Sequence, residues 1–282
     1  MDFEKKHGNI NNTEAERKKI EVELGSFGIP QVPEIIERFV ILEKNSHFND
    51  DSRMILEGVK NVLELIDSFQ LTPIQKMRLY LAVDIGDIGK TSSSEDVKCQ
   101  LAVARLFSKE NLDPNQRVTK VLQLYFPAEE VDDMILSLLE VEVSPEMEMR
   151  KFWDKHAFWT QEILDRHQDV FDKPTRVIAA SHHLNSGIDP YKIKVDNVWQ
   201  VSNEVKFSIF LLMAMDKYQA LTVRSKKSHK EAIELLKIEL TPFDGDDLKD
   251  IIVRAIEQLG AISSLFPESV KALKAKRSAI IK

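Results

Sequence analysis

The chain is poor in the residues that build stapled or turn-rich folds. Its 282 residues include one cysteine, Cys99, so no internal disulfide and no structural zinc site made of thiolates can form. Glycine and proline number 9 and 10, too few for a β architecture with many tight turns. Positive charge is not in excess: 39 basic against 46 acidic residues give a net charge of −7. No broad basic field exists to hold a nucleic-acid backbone, so duplex nucleic acid is not an expected partner. The longest apolar run, Ile209 to Met215, is seven residues, against roughly 20 for a membrane span, and no membrane partner is expected. Met1 to Ile20 is polar and charged and lacks the apolar core of a signal peptide. With a single thiol, the expected location is cytoplasmic.

What is present is an ordinary globular balance, 43% apolar and 30% charged, on a chain long enough for one large domain or two small ones. Residues 1–30 read as a frayed end and one short helix. From Pro33 the apolar residues recur at helical spacing: Ile35, Ile36, Phe39 and Val40, then Ile55, Val59, Val62 and Ile66. Thr72-Pro73 reads as an N-cap followed by a first-turn proline. Further helices are expected at about 97–107, 114–125, 128–141, 146–167, 174–184, 203–220, 229–238 and 246–264. A polar loop spans Thr91 to Asp96, and the tail Lys271 to Lys282 reads as a short amphipathic helix or a disordered end. Neither strand alternation nor an internal repeat is visible, so the fold class is all-α.

Four segments carry chemistry: Asp84-Ile85-Gly86-Asp87-Ile88-Gly89-Lys90; His156 with Glu162-Ile163-Leu164; His182-His183-Leu184; and Asp216 with Gln219-Ala220-Leu221. Each has an ordinary reading. Asp-Ile-Gly-Lys is also a helix C-cap, since glycine breaks a helix and lysine suits its negative end. A lone His156 fits a core or surface position. On a helix, His182 and His183 would point about 100° apart and converge on an object between them, typically a metal. Asp216 lies in an apolar run where an acid needs a partner, an ion pair or a metal. Together the segments supply mixed imidazole and carboxylate ligands from separate helices, a set that suits iron, manganese, zinc or nickel better than calcium.

The ordered set resembles the HD superfamily, and within it the HD-GYP phosphodiesterases, over about residues 45–262. The resemblance implies a helical bundle of the HD-domain type over 45–225, with an insertion at about 92–145. A polar segment and helix precede it over 1–44, and C-terminal helices follow over 226–282. It implies metal ligands at Asp87, His156, His182, His183 and Asp216, with Asp87 and Lys90 catalytic, Lys90 holding a phosphate oxygen. The chain departs from the family at several points. The first histidine of the paired motif is Gly86, the glutamate after the two histidines is Leu184, and the Gly-Tyr-Pro loop is reduced to Asn185 to Pro190. For the early histidine that precedes the first motif, His47 is the only candidate nearby, or Asp50 or Asp51 occupies its place. By resemblance, Asp87, His156, His182 and His183 keep one metal position whole, while the position using Asp216 and the missing histidine is weak or empty. The implied function is metal-assisted hydrolysis of a phosphodiester or phosphomonoester, with a small anionic nucleotide such as cyclic di-GMP as substrate. The alternative is an inactive relative that binds a nucleotide or a protein signalling partner. A plain helical scaffold with chance histidines is the third reading.

Overall fold

The structure, a computed structural model, describes residues 32–45, 48–66, 68–110 and 112–259, with a few positions between 14 and 25. The tail after Leu259, most of residues 1–30, His47 and the Asp50 side chain lie outside the described residues. In chain order the helices are α1 (Pro33–Asn45), α2 (Phe48–Leu65), α3 (Pro73–Ile85), α4 (Val97–Phe107), α5 (Val118–Tyr125) and α6 (Ala128–Leu139). They continue with α7 (Met149–Arg166), α8 (Lys173–Ala180), α9 (Asn203–Gln219), α10 (His229–Glu239) and α11 (Asp247–Leu259). The fold is all-α. No helix among the described residues is long and apolar enough to cross a membrane.

The chain divides into two compact units, Met1–His47 with Lys90–Trp153, and Phe48–Gly89 with Asp154–Lys282. In the first, α4 packs on α1 and α6, and α5 on α6. The expected helix at 114–125 begins only at Val118. The preceding backbone is taken up instead in pairing with the approach to α7, where Val118 N–H donates to Met147 C=O and Met149 N–H to Gln116 C=O, each 2.9 Å. A fully buried guanidinium, Arg38, organises the Ser-rich loop. It donates to Thr91 Oγ1 at 2.9 Å and to the carbonyls of Ser92 and Ser94 at 2.7 Å, while Glu34 balances its charge at 2.9 Å. Burying that cation is tolerable because its donors are met by oxygens.

The second unit is built around α9, in which every residue from Phe207 to Met215 is buried. A helix apolar on all sides belongs in the centre of a bundle, and α9 packs against α2, α3, α8 and α11. Beyond Gln219 it widens into a π turn, Ala220–Arg224, closed by Ser225 N–H to Ala220 C=O at 3.0 Å. A small hairpin pairs β1 (Lys194–Val195) with β2 (Val198–Trp199). Its turn residues Asp196 and Asn197 both have positive φ, the conformation favoured in two-residue hairpin loops. No strand was expected there, because two-residue strands are too short to show alternation.

Helix α3 starts as expected, with Thr72 as N-cap and a reciprocal box to Gln75. It ends where the Asp-Ile-Gly-Lys segment turns onto α7. At Gly89 the two backbones nearly touch: a Cβ there would lie 2.0 Å from the His156 carbonyl oxygen and 2.6 Å from Thr160 N. Only glycine allows that approach. Gly89→Ala is expected to destabilise the fold by about 3 kcal/mol, because backbone rather than a flexible side chain must give way. Urea unfolding monitored by circular dichroism measures this, and an unchanged midpoint would contradict the close packing.

Candidate metal centre

The close approach at Gly89 lets the turn after α3 place its acid against α7. Thr160, fully buried, fixes the turn. Its hydroxyl donates to Gly86 C=O at 2.8 Å and accepts from Gly89 N–H at 3.1 Å. The residues between these two anchors include Asp87. One turn before Thr160 on the same helix is His156, so a single stretch of α7 both holds the acid's backbone and supplies the imidazole facing it. Asp87 Oδ1 lies 3.4 Å from His156 Nε2.

The histidine pair arrives by a different route from the expected one. Helix α8 ends at Ala180, not at 184, and Ser181 leaves helical geometry at φ −101°. His182 and His183 therefore sit in the turn after the helix, and the argument from helical spacing does not apply to them. Their convergence comes from the turn. His182 Nδ1 lies 2.6 Å from Ala179 C=O; as the donor there, it leaves Nε2 to face the cluster. His182 Nε2 is 3.2 Å from His156 Nε2 and 3.7 Å from Asp87 Oδ1. The ring of His183 stands 4.2 Å from that of His182 and 4.7 Å from that of His156, centroid to centroid.

These separations suit a cation. Asp87 Oδ1 and the two Nε2 atoms form a triangle with sides of 3.2, 3.4 and 3.7 Å. The point equidistant from its corners is about 2.0 Å from each, within the range of zinc–nitrogen and zinc–oxygen bonds. The ligand atoms of His156, His182 and His183 all lie within 4.8 Å of one another, so this buried cluster could hold a metal ion. His156 and His182 are almost fully buried, and Asp87 is 18% exposed.

Two further expected residues are Asp216 and Lys90. Asp216 pairs with Arg224 at 3.9 Å, and its charge acts on His182. Lys90 begins the other unit, directly after Gly89 in the same 3-10 turn. Gly86 lies beside the centre, where a Cβ would be 3.6 Å from His182 Nδ1. Asp51 accepts a 2.6 Å hydrogen bond from Gln219 Nε2. Sequence reasoning named Gln219 only as part of the Asp216 segment and assigned no role to Thr160, Gln219 or Arg224. A threonine or glutamine inside a helix carries no local sign of burial, though Gln219 does follow a long apolar run.

No protein-family model, curated protein or solved structure matches the chain.

Burial pushes the His182 imidazole down, but the hydrogen bond and charge of Asp87, the charge of Asp216 and the Ala179 carbonyl outweigh it, so its pKa is raised. In the ion-free protein His182 thus keeps a proton to higher pH than a free imidazole, whose value is about 6.5. A metal must displace that proton. Affinity for zinc or manganese should therefore rise with pH through and beyond the ordinary imidazole range, and fall as pH drops. Calorimetric titration across that range reads the slope; a pH-independent affinity would contradict the proton competition. Thr160→Val should weaken ion binding about 10-fold although it touches no ligand, and cost about 2 kcal/mol of stability by stranding Gly86 C=O and Gly89 N–H.

Proposed function

We propose that the chain is a divergent HD-superfamily protein of the HD-GYP type, acting as a metal-dependent phosphohydrolase on a small anionic nucleotide, with a cyclic dinucleotide such as cyclic di-GMP as the favoured substrate. One observation carries the reading: Asp87, His156 and His182, from three separate segments, surround a point about 2.0 Å from each ligand atom, with His183 alongside. Chance histidines on a helical scaffold would not gather a carboxylate and three imidazoles in one buried spot. The site works in the cytoplasm, as the single thiol leads one to expect.

A bound divalent ion would supply Lewis acidity toward a phosphoryl oxygen and lower the pKa of water so that it can attack near neutral pH. The protein's own groups prepare the site. Asp87, His156, His182 and His183 would hold the ion. Ala179 C=O orients the His182 ring, and Thr160 keeps the Asp87 turn on α7.

Gly86 favours a second reading. It lies beside His182 and offers no ligand, which fits an inactive relative that binds a nucleotide or a protein signalling partner. Metal analysis of the purified protein, followed by hydrolysis of bis(p-nitrophenyl) phosphate with iron or manganese, separates the two. Bound metal with turnover is the expected result; bound metal without turnover favours the binding protein; absence of metal removes the phosphohydrolase. His156→Ala should lower ion affinity more than about 100-fold while the protein stays folded, and would be silent if the histidines were incidental.

A further inference from the structure

Helix α6, in the first unit, buries Val131, Met134 and Leu138 on one side. At 100° per residue the opposite side carries Glu129, Asp132, Asp133, Leu136 and Leu139, all exposed. Leu136 is 63% and Leu139 48% exposed, so two large apolar side chains stand in water among acids. Residues 128–148 hold eight acids and no Lys or Arg. Glu130 is taken up by Arg105 at 2.6 Å, and Glu146 by Arg117. Glu129, Asp132, Asp133 and Glu140 make no ion pair among the described residues. An acidic strip with leucines in it fits a segment that is both basic and apolar, since a purely basic one would leave the leucines wet.

The chain itself contains such a segment. Between Val270 and Lys282 the sequence holds Lys271, Lys274, Lys276, Arg277 and Lys282 with no acid, interleaved with Val270, Leu273, Ile280 and Ile281. These residues lie outside the described ones. The other basic stretch, Arg224 to Lys230, has no apolar side chain to offer the leucines. We propose that the outward face of α6 is a docking surface for Val270–Lys282 of a second copy of this chain. Bases without an acid there meet acids without a base here, and apolar residues meet Leu136 and Leu139. Each of two molecules gives one segment and receives one, so a pair makes two such contacts and closes as a dimer. The 10 residues between Leu259 and Val270 span up to about 35 Å when extended, enough to reach a neighbouring molecule. The contact needs no metal.

Sedimentation equilibrium of the full chain reads the contact. Wild type should be a dimer in equilibrium with monomer, and the dimer should weaken as salt is raised. Asp132→Lys with Asp133→Lys should raise the dimer dissociation constant about 10- to 100-fold, and Lys274→Glu with Arg277→Glu should do the same. All four changes together exchange the charges across the contact and should bring the constant back to within about 3-fold of wild type. Leu136→Ser should weaken the dimer about 10-fold. Asp132, Asp133 and Leu136 are exposed, so these variants should fold, and matching thermal unfolding verifies it. A wild type that stays monomeric at every concentration overturns the proposal, the case of a segment seated on its own chain included. So does a dimer indifferent to either pair of reversals, or one that the four-residue exchange fails to restore.

Discussion

Two imidazole nitrogens 3.2 Å apart in a buried site cannot both present lone pairs to each other; something positive must lie between them. In the ion-free protein that is a hydrogen carried by one of the rings, with Asp87 Oδ1 3.4 and 3.7 Å from the two nitrogens. A divalent cation meets the same demand with more charge. Every other feature of the second unit near this point makes the encounter unavoidable. The turn of Asp87 is pressed onto α7 at Gly89, the Thr160 hydroxyl pins the turn from both sides, and the Ala179 carbonyl holds the ring of His182. Removing that hydrogen without supplying a cation would leave buried acceptors facing each other, which is costly in a low-dielectric interior.

The backbone geometry shows what positions 86 and 89 each contribute to the turn that carries Asp87. Gly86 retains right-handed helical dihedrals as the cap of α3, and its carbonyl is one of the two anchors of Thr160. Its contribution to the turn is made by main-chain atoms that any residue supplies. The side chain at 86 therefore does not set the position of Asp87, whereas Gly89 has no such latitude, because its missing Cβ is what admits the backbone of α7.

How much of this could be read from residues follows from the range of the interactions. The helices, the Thr72 cap and the all-α class rest on local periodicity and turn chemistry, which a sequence displays directly. So do the identities of Asp87, His156, His182 and His183, since imidazole and carboxylate types in an apolar context stand out. The route by which His182 and His183 meet the others was not legible: whether α8 continues to 184 or stops at Ala180 depends on what Ser181 to Leu184 contact, not on propensity. Thr160 and Gln219 were hidden because their burial comes from tertiary neighbours. Arg38 looked like one more charge on a helix, although the loop it holds was recognised as polar. The π turn, which inserts an extra residue into a helical ladder, leaves no periodic trace over five residues.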